Sequence, residues 1–198
     1  MSLRTDMQII SEWIEPGSRV LDLGCGDGTL LHHLQTHQQV SGYGLEIETQ
    51  HIIECVASGV NVLQMDVDAG LSDFDEDSFD YVIMTQALQA TRHPDKLLDE
   101  ILRVGREGIV TFPNFGHWRS RLHLLMGHMP VTAALPSEWY NTENIHLCTL
   151  IDFERLCKDR GIKILKRTVV DHRHRSSIGM RILPNLLGEI AIYRFQRK

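Results

Sequence analysis

The feature that most constrains this chain is a short apolar run followed at once by alternating glycines, Val-Leu-Asp-Leu-Gly-Cys-Gly-Asp-Gly-Thr-Leu at residues 20–30. Because so few residues separate a Pro-Gly turn from the glycines, the run predicts a buried strand over Arg19–Leu23 rather than a helix. Gly24, Gly26 and Gly28 let the backbone turn tightly and approach a ligand before the next helix begins. The stretch therefore predicts a nucleotide or nucleoside site. A structural glycine-rich turn is the alternative.

The charges around this loop indicate which nucleoside it would bind. A dinucleotide fingerprint has the spacing G-x-G-x-x-G and places a helix N-terminus at an anionic pyrophosphate, whereas this loop reads G-x-G-x-G. Asp22 precedes the loop, Asp27 lies inside it, and Glu46 ends the next predicted strand. Carboxylates repel a pyrophosphate but suit the ammonium and sulfonium groups of S-adenosylmethionine. The electrostatics favour S-adenosylmethionine over a nicotinamide dinucleotide, which stays as an alternative.

The rest of the chain alternates predicted strands and helices. Apolar runs predict strands over 40–46, 60–64, 79–84, 108–112, 162–170 and 189–195. Amphipathic segments predict helices over 6–14, 49–57, 95–104 and 151–160. Because strands that alternate with helices form a parallel sheet covered on both faces, the chain is predicted to be a doubly wound α/β protein.

Length and net charge limit the class of partner. A chain of 198 residues has room for one α/β domain with a single sizeable core. A formal net charge of −6 argues against broad electrostatic binding to nucleic acid or to an anionic membrane. Small molecules and proteins are therefore the expected partners.

Cysteine and histidine usage predicts a cytoplasmic protein without a metal. The four cysteines, Cys25, Cys55, Cys148 and Cys157, form no C-x-x-C pair, and we find no signal peptide or long apolar segment. This pattern favours a reducing compartment and free thiols. Eleven histidines occur, but none with H-E-x-x-H spacing, so no catalytic metal is expected.

Residues 113–148 depart from the strand–helix alternation. The segment contains Trp118, Trp139 and Tyr140 together with several histidines and arginines. It follows the fifth predicted strand, and ligands of open α/β sheets bind at the carboxyl ends of the strands. We expect it to cover the ligand and define the substrate; a purely structural role stays open.

The glycine loop resembles the first two motifs of class I S-adenosylmethionine-dependent methyltransferases. Asp22-x-Gly24-x-Gly26-x-Gly28 and the acidic Glu46 carry the resemblance. It implies one Rossmann-like domain over 1–198 with a cap insertion at about 113–148. It also implies a seven-stranded, mostly parallel sheet of order 3-2-1-4-5-7-6, with the last strand antiparallel. The implied ligand is S-adenosylmethionine or S-adenosylhomocysteine, and its binding residues are Asp22, Gly24, Cys25, Gly26, Glu46, Ile47, Asp66, Val67 and Thr85.

Individual roles follow from the same resemblance. Glu46 would accept hydrogen bonds from the two ribose hydroxyls. Asp66 would accept one from the adenine amino group while Val67 covers the ring, and Asp68 is an alternative to Asp66. A methyl acceptor is expected between the Thr85-Gln86 turn and residues 113–148. The polar candidates for catalysis there are Gln86, His117, Tyr140 and His146.

Four segments resemble the bacterial methionine-biosynthesis protein MetW more closely than methyltransferases at large; they are residues 22–28, 85–90, 108–118 and 139–149. This resemblance implies a part in methionine biosynthesis and a partnership with homoserine O-acetyltransferase. It leaves two hypotheses, a ligand-binding protein that assists that enzyme and an active methyltransferase with an unidentified small-molecule acceptor. Both stay open because methyl transfer depends on alignment more than on a strong base.

An apolar segment over Ile178–Leu187 separates the last two predicted strands. A small domain must either bury such a segment or offer it to another surface. If it is offered, Met180 and Leu187 would supply apolar contact and Arg181 a polar anchor. Burial is the alternative.

Overall fold

The computed structural model describes residues 4–173 and 175–198, so part of the predicted 1–198 domain, residues 1–3 and 174, lies outside the described residues. One sheet contains seven strands in the order β3-β2-β1-β4-β5-β7-β6. The strands are β1 Arg19–Leu23, β2 Ser41–Glu46, β3 Val62–Gln64, β4 Phe79–Thr85, β5 Gly105–Pro113, β6 Ile162–Val170 and β7 Ile190–Arg197. Only β7 runs antiparallel to its neighbours. The predicted α/β fold and strand order are confirmed.

Eight helices are described, together with 3-10 turns at Val67–Ala69 and Leu88–Ala90. The helices are α1 Thr5–Ser11, α2 Thr29–Gln38, α3 Thr49–Ala57, α4 Pro94–Val104, α5 Trp118–Leu125, α6 Leu150–Asp159, α7 Ile178–Ile182 and α8 Pro184–Leu187. No helix in the described part of the chain is long and apolar enough to cross a membrane.

The two faces of the sheet are covered by different helices, which produces two apolar layers. Leu98 of α4 and Phe153 of α6 belong to one layer, together with Leu21 of the sheet. Leu31 of α2 and Cys55 of α3 belong to the other. Both layers cover the sheet's faces, so the carboxyl ends of β1, β2 and β4 stay at its edge, where the glycine loop begins.

Two boundaries differ from the sequence prediction for identifiable reasons. Helix α1 ends at Ser11 instead of residue 14, because Trp13 and Ile14 tighten into i to i+3 hydrogen bonds before the Pro-Gly turn. Strand β5 begins at Gly105 instead of residue 108. A Cβ at Gly105 would lie 2.5 Å from a methyl group of Val82, so glycine lets β5 start directly beside β4.

The 113–148 segment holds helix α5 followed by turns and one isolated bridge between Thr132 and Leu135. Its far end is tied to the turn after β4, because Ile145 N–H and His146 N–H both donate to Gln89 O, at 2.9 and 3.0 Å. The 178–187 segment forms the short helices α7 and α8. Met180 packs against the core, whereas Ile178 is 76% exposed. One part of this segment is therefore buried and another part is offered to solvent, so each of the two predictions holds for part of it.

Candidate ligand-binding site

A groove of about 230 Å³ lies at the carboxyl ends of β1, β2 and β4. Its lining residues are Gly24, Leu45, Glu46, Ile47, Met65, Asp66, Val67, Asp68, Met84, Ala87, Ala90 and Thr91. Five of the nine predicted ligand-binding residues are among them. The groove is therefore an apolar slot bordered by carboxylates at the edge of the sheet where open α/β folds bind ligands.

Two larger clefts lie elsewhere. One, of about 320 Å³, is beside β6 and α7, and the other, of about 330 Å³, is at the opposite end of β1 and β4. Neither touches the glycine loop. We assign the site to the smaller groove because Gly24 of the glycine loop and the carboxylates of Glu46, Asp66 and Asp68 meet there, and volume alone does not indicate chemistry.

The glycine loop has a left-handed backbone at each of its three glycines, with φ of 67° at Gly24, 56° at Gly26 and 75° at Gly28. Residues with a Cβ rarely adopt these angles. Gly28 is also packed tightly, because a Cβ there would lie 2.9 Å from Cys55 Sγ. The alternation of glycines is thus explained by backbone conformation and by a close approach to α3.

The two thiols behind the loop face each other rather than the groove. Cys25 Sγ and Cys55 Sγ are 3.8 Å apart, and Cys55 Sγ donates to Gly26 O at 3.2 Å. Burial is the main cause that raises the pKa of the Cys25 thiol far above its usual range. Cys25 therefore stays protonated and packs under the loop, so any contact it makes with a ligand would use its backbone.

Glu46 joins the end of β2 to the glycine loop. Its Oε2 accepts from Gly26 N–H at 2.9 Å, and its Oε1 accepts from Ile47 N–H and Glu48 N–H at 2.8 and 2.9 Å. A carboxylate offers about four acceptor positions, so three are already used. Glu46 therefore shapes the loop as well as lining the groove, a role that its position in the sequence did not reveal.

Asp22 is a buried carboxyl with one oxygen unpaired. Its side chain is 1% exposed, and Oδ1 has no hydrogen-bond partner among the described residues. Burial, followed by the nearby charge of Glu46, raises the pKa of Asp22 to about 7. An unpaired buried acceptor costs about 1–3 kcal/mol, and such perturbed groups are concentrated at functional sites. A cationic hydrogen-bond donor from a ligand would satisfy both the oxygen and its charge.

The two aspartates after β3 have different surroundings. Asp66 Oδ1 accepts from Asp68 N–H at 2.9 Å and begins the first 3-10 turn. Asp68 Oδ1 accepts from Arg92 N–H at 2.9 Å, and the Arg92 guanidinium lies 4.0 Å from Oδ2. Because Asp68 has both a hydrogen bond and an ion pair with Arg92, Asp66 retains more free acceptor capacity than Asp68.

The turn after β4 contains the remaining predicted binding residue and a strained backbone. Thr85 is half-buried and pairs with Thr111 of β5. Gln86 has φ of 53°, which is uncommon outside glycine, and its N–H is held by Thr111 O and Oγ1 at 3.0 and 2.9 Å. The turn is thus fixed in a conformation that it would not adopt by itself.

The structure does not bring the four catalytic candidates into the groove lining. Gln86 is exposed at the turn, and His146 Nε2 lies 3.3 Å from Arg92 O, so these two are at the groove's edge of the sheet. Tyr140 is 71% exposed. His117 is buried, and burial lowers its pKa, which favours the neutral imidazole. Among the described residues, no group of three or more His, Cys, Asp and Glu side chains is placed to hold a metal ion.

Sequence reasoning missed the apolar part of the lining and one buried amide. Met65, Met84 and Ala87 also line the slot, and the available signal was their position at or just after the carboxyl ends of β3 and β4. Gln89 is 7% exposed, and its Oε1 has no partner in the described part of the chain. Its Nε2 donates to Gln86 O at 2.6 Å, so Gln89 stabilises the turn beside the groove.

The strand order and the glycine-loop groove define a class I methyltransferase-like protein. The chain belongs to the family described as methionine biosynthesis protein MetW, whose model matches residues 4–195. The bifunctional methionine biosynthesis protein MetXA/MetW of Rhodopirellula baltica is 33% identical over 208 residues, a match that covers 100% of this chain and 33% of that protein. The chain thus spans about one third of the length of this relative.

Solved structures show the same fold at low identity. An S-adenosylmethionine-dependent methyltransferase from Mesorhizobium loti is 15% identical with a TM-score of 0.72, and 98% of each chain is covered. One from Archaeoglobus fulgidus is 14% identical with a TM-score of 0.68, covering 98% of this chain and 92% of that one. The [4+2]-cyclase SpnF has 17% identity and a TM-score of 0.68, with 96% and 80% covered. Since one neighbour is described as a cyclase, the fold alone does not decide the reaction.

Proposed function

We propose that this protein binds S-adenosylmethionine, or S-adenosylhomocysteine, in the glycine-loop groove and assists homoserine O-acetyltransferase in methionine biosynthesis. The observation that carries the ligand is the buried, unpaired carboxyl of Asp22 beside a loop that is itself tied to Glu46. Two carboxylates at a glycine turn suit a ligand with positive charges and ribose hydroxyls. The methyltransferase neighbours support the same ligand class.

In this proposal the parts of the ligand follow the ends of β1, β2 and β3 in order. The methionine ammonium would neutralise Asp22, the ribose would lie at Glu46, and the adenine would lie between Asp66 and Val67. Because three acceptor positions of Glu46 are used by backbone N–H groups, two ribose hydroxyls would have to replace at least one of them. Ligand binding is therefore expected to adjust the loop.

The partner half of the proposal depends on the relative from R. baltica. Its name joins MetXA and MetW in one bifunctional protein, and the matched part is about one third of its length. We assign the MetXA part to homoserine O-acetyltransferase. Joining two proteins in one chain keeps them together at high effective concentration, which is useful when they act together. A cytoplasmic location remains a prediction of the sequence.

A calorimetric titration with S-adenosylmethionine tests the ligand assignment. Glu46→Gln removes acceptor capacity at the ribose and should weaken binding by roughly 1.5–3 kcal/mol, the scale of a hydrogen bond to a charged group. Glu48→Gln, at the exposed neighbouring carboxylate, is the matched control and should bind as the wild type does. Unchanged affinity in Glu46→Gln would contradict the ribose assignment. A wild type that binds NADH but not S-adenosylmethionine would overturn the ligand.

Catalytic methyl transfer is the second candidate, and the strained turn at Gln86 favours it. Backbone strain held by neighbouring structure is typical of functional sites, and this strain lies directly after β4 at the groove. Incubation of the protein with methyl-labelled S-adenosylmethionine and extracted small molecules would detect it. Label transferred by the wild type but not by Asp22→Asn would establish an enzyme, whereas binding without transfer would leave the assisting role.

A further inference from the structure

Most of helix α5 is exposed, and three of its four large apolar side chains share one outward face. Trp118, Leu122 and Leu125 have the spacing i, i+4, i+7 and therefore share one face of the helix. They are 42%, 43% and 84% exposed, whereas Ser120 on the opposite side is 2% exposed. A helix on the surface of a globular protein normally buries its apolar face, so this arrangement leaves an apolar stripe that is partly exposed to water.

The stripe is bordered by arginines that no carboxylate neutralises. Neither Arg119 nor Arg121 forms an ion pair with the described residues, although most other arginines do. Arg119 lies over the Trp118 ring at 5.4 Å, and Arg121 Nε donates to Gly116 O at 2.7 Å. Residues 115–135 contain no Asp or Glu, in a chain with a net charge of −6. This face is thus locally basic and apolar.

We propose that the outward face of α5, formed by Trp118, Leu122 and Leu125 with Arg119 at its rim, is the docking surface for homoserine O-acetyltransferase. The inference rests on the proposed function, and it assigns the partner's counterpart as an apolar patch bordered by carboxylates. Tryptophan and arginine are the residues most enriched where binding energy is concentrated in interfaces. The stripe thus has the composition of an interface centre with a charged rim.

Charge argues against the other occupants of this face. In a symmetric dimer the same patch meets itself, so two copies of α5 would bring arginines against arginines. An anionic membrane would attract the arginines but repel a chain with a net charge of −6. A partner enzyme with its own carboxylates meets neither objection, and the R. baltica relative places a second protein in the same chain.

The exposed segment 178–187 is the competing surface. Ile178 and Ile182 are 76% and 72% exposed, but Met180 packs into the core and helix α7 has only five residues. Arg181 in that segment also lacks an ion pair among the described residues. We favour α5 because its three apolar side chains form a continuous helical stripe.

A binding titration against immobilised homoserine O-acetyltransferase from the same genome tests the surface. Leu122→Asp/Leu125→Asp should weaken the complex at least about 30-fold, because it places charges in the centre of the interface. Ile53→Asp/Val56→Asp is the matched control, since these residues are 57% and 65% exposed on helix α3. The control should bind as the wild type does. Circular dichroism and thermal unfolding would verify that both variants fold.

A substitution at the rim of the stripe distinguishes the contribution of charge to binding from that of apolar contact. Arg119→Glu should weaken the complex about tenfold at low salt and reduce its dependence on ionic strength, since rim charges act mainly through long-range attraction. Wild-type affinity in Leu122→Asp/Leu125→Asp, or equal losses in the α3 control, would overturn the surface while leaving the proposed partnership intact. Loss only in Ile178→Asp/Ile182→Asp would overturn it in favour of the 178–187 segment.

Two further results would contradict the proposed partner and not only the position of the docking surface. If the wild type binds S-adenosylmethionine but no acetyltransferase, the partner half of the proposed function has failed, and the docking surface fails with it. If the wild type sediments as a dimer, or floats with phosphatidylglycerol vesicles, and Leu122→Asp/Leu125→Asp abolishes that behaviour, the face belongs to self-association or to a membrane. Either outcome would overturn the assignment to the enzyme.

Discussion

The glycine loop and helix α5 both begin at the carboxyl end of a sheet strand, but they are stabilised in opposite ways. In the loop, Gly24 N–H and Cys25 N–H donate to Leu45 O, and Gly26 N–H donates to Glu46. In α5, by contrast, Trp118 is 42% exposed and Leu125 is 84% exposed. The loop is therefore completed by contacts inside the chain, whereas much of the outward face of α5 stays exposed in the described part of the chain.

This difference separates two kinds of function. A loop held by internal hydrogen bonds is largely ordered before a small ligand binds, so binding requires only a local exchange of hydrogen bonds at Glu46. An exposed apolar stripe contributes little to folding and becomes useful only when another surface covers it. The segment that contains α5 also reaches the groove at its far end, because Ile145 N–H and His146 N–H donate to Gln89 O beside it.

The largest expected effect tests whether the loop is as tightly packed as this comparison requires. Gly28→Ala should lower the free energy of unfolding by about 2–5 kcal/mol, because it combines a left-handed backbone with overpacking against Cys55. Gly59→Ala is the matched control: its φ is also 75°, but nothing lies within 4 Å of its added Cβ. The control should lose only about 1–2 kcal/mol. Equal losses in urea denaturation would show that the packing behind the loop is unimportant.

A second expected effect concerns the ionisation of the Asp22 carboxyl, which lies in β1 just before the glycine loop. Because the pKa of Asp22 is raised to about 7, its carboxyl is largely protonated at pH 6 and largely ionised at pH 7.5. Affinity for cationic S-adenosylmethionine should therefore rise about eightfold over this interval, the change in the ionised fraction. Calorimetric titrations at the two pH values would measure it. Asp22→Asn should bind weakly with no such rise, and a rise that persists in this variant would assign the titration to another group.

The raised pKa of Asp22 also affects the free energy of unfolding. With rising pH this free energy should change in the opposite direction to the affinity for the ligand. The folded protein holds the Asp22 proton more tightly than the unfolded chain, whose pKa is near 3.8. The free energy of unfolding of the ligand-free protein should therefore fall as pH rises from about 4 to about 7. Asp22→Asn should remove this part of the pH dependence. Its persistence would contradict the burial of an unpaired carboxyl.

The smallest expected effect is the change in the free energy of unfolding when an exposed residue of α5 is replaced. Leu125→Ser should change the free energy of unfolding by no more than about 0.5 kcal/mol, since its side chain is 84% exposed. Leu34→Ala on α2, at a fully buried position, should cost about 2–5 kcal/mol. Thermal and urea unfolding of both variants would measure the contrast. A large loss for Leu125→Ser would mean that the α5 stripe stabilises the fold instead of awaiting a partner.

The local sequence pattern was sufficient to predict the bounds of a strand or helix where residues close in the sequence determine them. The bounds of β1, α3 and β6 agree with the sequence prediction because each is a short periodic run between clear turn signals. The strand order came from the family resemblance and not from local pattern. The first residues of β5 could not be predicted, because Gly105 is accommodated by contact with Val82 on another strand.

Five of the nine predicted binding residues line the groove, but the contacts among them were not predicted. The spacing of the glycines and acids identified Glu46, yet its hydrogen bond to Gly26 joins positions 20 residues apart. The unpaired oxygen of Asp22 depends on burial by the whole sheet. Helix α5 was not predicted within residues 113–148, and only the structure shows that Trp118, Leu122 and Leu125 share an exposed face.

A crystal structure of the protein with S-adenosylhomocysteine tests the central claim most directly. The account predicts the ligand in the glycine-loop groove, with its amino group within hydrogen-bonding distance of the Asp22 carboxyl and its ribose hydroxyls at Glu46. The adenine should lie against Val67 with its amino group at Asp66. Ligand density in the cleft beside β6 and α7, or a ligand in the groove with no contact to Asp22 and Glu46, would contradict it.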